Sequence, residues 1–128
     1  MRSAAARAEL PLRRLLVVGN ETVVGPAVEE AVRFAAAAGP VSVLVVCPGG
    51  DQDRVDAALA RLTGIEARGV VGRPDPLQAL EDALRFFRAD EIVVSTRPYG
   101  TSRWLDEDLV GRAWERFRLP LVHVVQAM

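Results

Sequence analysis

The 128-residue chain reads as a single α/β domain: an open parallel sheet with helices on both faces. Three observations predict this. Continuous apolar runs, such as residues 15–18 (LLVV) and 41–46 (VSVLVV), have the pattern of strands buried on both faces, as in a parallel sheet. Between the runs lie segments whose apolar residues recur at helical spacing. Strand and helix alternate in the order β-α-β-α-β-α-β-α-β, which calls for right-handed crossovers and a parallel sheet.

Leu15, Leu16, Val17 and Val18 form the first strand, closed by Gly19 and Asn20. Gly25 and Pro26 open the first helix, with proline at a first-turn position where its missing N–H costs nothing. Val28, Ala31, Val32 and Ala35 make its apolar face, and Gly39 and Pro40 stop it. The second strand, residues 41–46, ends at Cys47, Pro48, Gly49 and Gly50. Asp51 or Asp53 caps a second helix with Val55, Ala58, Leu59 and Leu62 inward, closed by Gly64. Residues 65–71 alternate, with Glu66 and Arg68 opposite Ile65 and Ala67, so this strand lies nearer the sheet edge with one face partly wet. Asp75 caps a third helix, Pro76 takes its first turn, and Gln78 is placed to complete a capping box. Leu77, Leu80, Leu84 and Phe87 are its inward residues. Ile92, Val93 and Val94 form the fourth strand. A loop of small, basic and turn-forming residues, 97–103, then leads to a helix with Val110, Ala113, Trp114 and Phe117 on its apolar face. Leu119 and Pro120 precede a last strand, residues 121–125.

Composition narrows the function. A net charge of −1, with no long run of either sign, gives no electrostatic basis for a nucleic-acid or anionic-membrane partner. No apolar stretch approaches the roughly 20 residues of a bilayer span. Every basic side chain is arginine, so lysine Schiff-base chemistry and a Walker lysine are both impossible. The single Cys47 excludes an internal disulfide, and Cys47 with the single His123 cannot make a structural zinc site alone. No serine elbow or metal-ligand spacing is present, so neither a catalytic residue nor a metal is expected. Residues 1–12 have no continuous apolar core; they read as a disordered leader rather than a signal peptide, with the domain at 13–128 and a cytoplasmic location.

The stretch 91–118 points to a site, because small ligands settle where a buried strand of an open α/β sheet feeds a helix through such a loop. Ser95, Thr96 and Arg97 offer hydroxyls and a guanidinium suited to a carboxylate or phosphate. Gly100, Thr101, Ser102 and Arg103 continue the candidate set. Gly19, Asn20, Glu21 and Thr22 face the same crevice from the first strand. They read either as polar contacts to a base or ribose, or as a turn with helix-start chemistry. Cys47 and Pro48 follow the second strand, and a packed, inert thiol is the simpler reading of Cys47. Asp106, Glu107 and Asp108 form a helix-start signal, Trp114 reads as core, and Trp104 as a cover for the crevice or a partner surface. Leu121, Val122, His123, Val124 and Val125 make an uncovered apolar strand that invites edge pairing, hence a homodimer with His123 as a packed or dimer-contact residue.

Over roughly residues 13–126 the chain resembles the universal stress protein family. RRLLVVGNET with AVEEAVRFAAAAG behind it, GRPDPLQALEDALRFFRADEIVVST, and the closing SRWL with RFRLPLVHVV carry the resemblance. It implies a Rossmann-like, adenine nucleotide alpha hydrolase-like sheet of five parallel strands in the order 3-2-1-4-5, and often a homodimer through the last strand. ATP-binding members typically end the first strand with Asp, where Asn20 stands nearest here. They also carry, after the fourth strand, Gly, two residues, Gly, nine residues, then Gly followed by Ser or Thr. Small residues there let backbone N–H groups reach phosphates. Aligning Ser102, Arg103, Trp104 and Leu105 with the family's loop puts Ser95 and Pro98 at the first two glycines, and Glu107 and Asp108 at the Gly-Ser pair. The spacing from Gly100 to Gly111 misses the motif by one residue. The resemblance therefore implies a non-enzymatic binding or signalling module that does not hold ATP in the usual family manner. Two alternatives stay open. One is an adenine nucleotide (ATP or AMP) binder, with or without slow ATP turnover, whose phosphates meet Arg97, Arg103 and the hydroxyls of Thr96, Thr101 and Ser102. The other is a pure interaction dimer whose crevice is filled by its own Trp104 or Tyr99.

Overall fold

Five parallel strands form one open sheet in the order β3-β2-β1-β4-β5, as the resemblance implies. The computed structural model describes residues 10–98 and 102–127. Within them lie β1 (Arg13–Val18), a 3-10 turn (Glu21–Val24), α1 (Pro26–Ala38), β2 (Val41–Pro48), α2 (Gln52–Ala60), β3 (Glu66–Gly72) and α3 (Pro76–Leu84). β4 (Glu91–Thr96), α4 (Arg103–Asp106), α5 (Leu109–Phe117) and β5 (Leu121–Val125) follow. Residues 1–9 of the expected leader lie outside the described residues, as do Tyr99, Gly100 and Thr101.

The apolar runs form strands because both of their faces are covered. β1 pairs with β2 through Leu15–Val43 and Val17–Val45, and with β4 through Leu16–Ile92 and Val18–Val94. On one face Leu15, Val17, Val43 and Val45 pack against Val28 and Val32 of α1 and Val55 and Ala58 of α2. On the other, Leu16, Val18, Leu44 and Val46 pack against Leu77, Leu80 and Phe87 around α3, and Leu109 and Ala113 of α5. Burial of this kind, at about 25 cal/mol per Å² of apolar surface, is the main term holding the sheet between its helices.

Capping chemistry sets the helix starts. Asp51, rather than Asp53, caps α2, its carboxylate accepting from the Arg54 N–H at 2.9 Å. Asp75 caps α3, accepting from the N–H groups of Leu77 and Gln78 at 2.9 and 3.2 Å. The two sheet edges differ. β3 alternates exposed Glu66 and Arg68 with half-buried Ala67 and Gly69, the partly wet edge that its sequence predicts. β5 exposes Val122 and Val125.

The segment after β4 departs from expectation. One helix with Trp114 in the core is predicted; two helices form, and Trp114 is 46% exposed. The break falls at Asp108, whose backbone is left-handed (φ 55°, ψ 46°) and whose carboxylate accepts from the Gly111 N–H at 3.3 Å, starting α5 afresh. Its buried stripe is then set by Leu109 and Ala113, while Val110 and Phe117 are only partly buried. At about 100° per residue, Trp114 lies about 140° from Leu109, off the stripe. The Arg118 guanidinium covers its ring instead, 5.4 Å from the centroid.

Candidate functional site

Chain order reverses between β1 and β4, so the carboxyl ends of these strands diverge into loops on opposite sides and leave a crevice at this switch point. The crevice has a volume of about 210 Å3, below the roughly 300–1,000 Å3 of ordinary ligand clefts. Asn20, Glu21 and Thr22 line it from the turn after β1, and Ser95, Thr96 and Arg97 from the end of β4. Ser102, Arg103 and Trp104 line it from the start of α4.

Its floor is held by close packing and by hydrogen bonds, all between neutral groups except the one from the Arg54 guanidinium to Asn20. A Cβ on Gly19 would stand 2.5 Å from Val23 Cγ1 and 3.0 Å from Ser95 Cβ, so glycine is what lets the turn approach β4. Beside it, the Ser95 hydroxyl donates to Thr22 Oγ1 at 2.7 Å, both side chains buried. The Asn20 amide joins three segments: its Nδ2 donates to the Pro48 carbonyl at 3.0 Å, and its Oδ1 accepts from Arg54. The Thr96 hydroxyl donates to the Arg97 carbonyl at 2.9 Å and lies 2.8 Å from His123 Nε2. With that hydroxyl proton used, the second contact is satisfied by His123 donating from Nε2 to Thr96 Oγ1. Burial lowers the His123 pKa and favours the neutral ring.

The rim carries the charge, and its charges pair within the chain. Arg97 forms an ion pair with Glu21 across the crevice, from the end of β4 to the turn after β1. Arg103 pairs with Glu107 one helical turn on, Nε to Oε1 3.1 Å. The Ser102 hydroxyl accepts from the Leu105 N–H at 3.3 Å as the cap of α4.

Nine of the residues singled out from sequence thus converge: Asn20, Glu21, Thr22, Ser95, Thr96, Arg97, Ser102 and Arg103, with Trp104 beside them. Gly19 packs beneath them, and Pro48 touches the site through its carbonyl. Cys47 is not among the lining residues. It is fully buried in the core on the α1–α2 side, where desolvation pushes its thiol up to about 11, with Arg54 opposing and Asp51 adding to the shift. It is a packed thiol because the inward alternation of β2 carries it into that core. Gly100 and Thr101 lie outside the described residues. Sequence reasoning missed Arg54, which fixes Asn20 from α2, and the pairing of Glu21 and Glu107 with the two rim arginines. The i,i+4 spacing of Arg103 and Glu107 was a usable signal for the second of these; nothing in the sequence signals the first or the Glu21 pair.

Among the described residues, no group of three or more His, Cys, Asp or Glu side chains is placed to hold a metal, and no helix is long and apolar enough to cross a membrane.

The arrangement is that of a Rossmann-like α/β domain with a polar crevice at its switch point. No family model and no curated protein matches the sequence. Among solved structures, a universal stress protein from Archaeoglobus fulgidus is similar with a TM-score of 0.57 and 19% identity, over 88% of this chain and 93% of that one. A universal stress protein crystallised in complex with cAMP is similar with a TM-score of 0.53 and 25% identity, over 88% of this chain and 96% of that one. The chain is thus similar in fold to these universal stress proteins, the likeness that its sequence motifs suggest.

Proposed function

We propose that the protein is a non-enzymatic binding or signalling module whose crevice between β1 and β4 takes a small ligand, and which does not hold ATP in the usual family manner. One observation carries this reading: both rim arginines are already matched by carboxylates, Arg97 by Glu21 and Arg103 by Glu107. A triphosphate arriving there meets as much negative charge as positive. Calorimetric titration of the nucleotide-stripped protein with Mg-ATP and AMP tests it. The expected outcome is that Mg-ATP binds no tighter than AMP; Mg-ATP at micromolar Kd, about −8 kcal/mol, with AMP at least tenfold weaker, would overturn it.

A second reading is supported by the similar structure that carries cAMP. A nucleotide with one phosphodiester charge asks for a single guanidinium, and Trp104 stands at the rim where a base would stack. Under this reading cAMP or AMP displaces a fluorescent adenosine analogue from the crevice, and Trp104→Ala weakens both.

We also infer a cytoplasmic homodimer paired through β5. The exposed valines Val122 and Val125 at an open sheet edge support it. Val122→Asp is expected to shift the mass seen by light scattering from dimer to monomer. A wild-type protein that is already monomeric at micromolar concentration sinks the inference.

A further inference from the structure

Glu21 and Arg97 stand on opposite walls of the crevice, and their ion pair spans it. Arg103 is a poor alternative anchor for an anion: its side chain is 87% exposed and is turned along α4 to Glu107. The backbone under Glu21 is pinned. Thr22, next in the chain, receives the buried Ser95 hydroxyl bond, the Val23 N–H donates to the Asn20 carbonyl at 3.3 Å, and the Gly25 N–H to the Thr22 carbonyl at 3.0 Å. Glu21 can therefore swing its side chain, half-exposed at 54%, but its backbone cannot leave the crevice.

We propose that the crevice is an anion site in which the Glu21 carboxylate stands as the resident ligand of Arg97. A small carboxylate or phosphate ester binds by displacing it. This rests on the crevice being a ligand site, as proposed above, and adds what sets its charge preference. An ion pair with both partners this exposed is weak, so displacement is easy. The displaced carboxylate nevertheless stays close by, and its repulsion of the incoming ligand grows with the ligand's charge. Uncharged ligands are indifferent to Glu21, a monoanion or the dianion of a phosphate monoester binds at a cost that rises with its charge, and a triphosphate is rejected. The geometry thus makes Glu21 a specificity residue of the site.

The test is calorimetric titration of wild type, Glu21→Gln and Arg97→Gln with inorganic phosphate, AMP and adenosine. Glu21→Gln is expected to tighten phosphate and AMP by about tenfold, the equivalent of about 1.4 kcal/mol, and to leave adenosine unchanged. Arg97→Gln is expected to remove phosphate binding. Equal phosphate affinity in wild type and Glu21→Gln, or phosphate still bound by Arg97→Gln, overturns the proposal. A measurement without ligand separates it from the reading on which it rests: labelling with an arginine-specific dicarbonyl reagent, mapped by mass spectrometry. Arg97 should react several-fold faster in Glu21→Gln, with Arg73, held by Asp82, as an unchanged internal control. An unchanged Arg97 rate overturns the resident-ligand claim even if adenosine binds. Faster labelling with no heat from any of the three compounds overturns the ligand site itself, and the proposal with it.

Discussion

The floor and the rim of the crevice are built by opposite means. The floor holds the carboxyl ends of β1 and β4 together without formal charge, through the contact at Gly19, the Thr22–Ser95 hydroxyl bond and strands with no exposed surface at Val18 and Val94. The rim is made of long charged side chains, half in water, paired as Glu21–Arg97 and Arg103–Glu107. Packing in the floor is close and costly to disturb, whereas exposed ion pairs contribute little. The position of the crevice is therefore a property of the fold, and its charge can be changed with almost no loss of stability.

The sharpest way to break that contrast is at Gly19. Gly19→Val forces methyl groups into Val23 and Ser95 and should cost about 1–3 kcal/mol, read from urea unfolding. A loss below about 0.5 kcal/mol would mean that the turn gives way and that the floor is softer than its contacts suggest. Next is Ser95→Ala, which leaves the buried Thr22 hydroxyl without this partner and should cost roughly 1–3 kcal/mol. Adding Thr22→Val removes the orphan, so the double variant should be more stable than the sum of the single losses predicts. At the rim, Glu107→Gln should change stability by less than about 0.5 kcal/mol and by still less in high salt. A larger effect would show the rim to be structural. The smallest expected effect is a pH dependence from His123. Its folded pKa lies below the ordinary value of 6.5, so the unfolded chain binds the proton more readily. Stability should then fall as pH drops below about 6.5 until the folded ring also protonates. His123→Gln should flatten that part of the curve.

How much of this was legible in the sequence follows the same division. Elements whose position is set by burial were readable, because LLVV and VSVLVV admit few environments and because Asp75-Pro76 and Gly25-Pro26 are local start signals. The convergence of residues 20–22 with 95–97 was readable too, since strand alternation and the resemblance together place both loops at one switch point. Tertiary pairing and backbone phase were not. Trp114 fits an apolar helical spacing, yet the left-handed Asp108 restarts the helix and rotates it outward. Cys47 and Ser95 both follow apolar runs, but one side chain turns into the core while the other lines the crevice. Glu21 reads from sequence as a contact to a ligand or as part of a helix-start turn, and no local pattern shows that a guanidinium 76 positions further along the chain takes it first.

Cys47 has a practical consequence. With its sulfur fully buried and its thiol pushed up to about 11, the thiolate fraction in the folded state at neutral pH is on the order of one in ten thousand, and no reagent reaches it. Because Cys47 is the only cysteine, any modification of the native protein by a thiol reagent must pass through an opening of the α1–α2 side of the core. The chain thus carries an internal clock. The labelling rate of one sulfur, followed without denaturant, reports how often this half of the molecule comes apart, and whether a ligand in the crevice slows it.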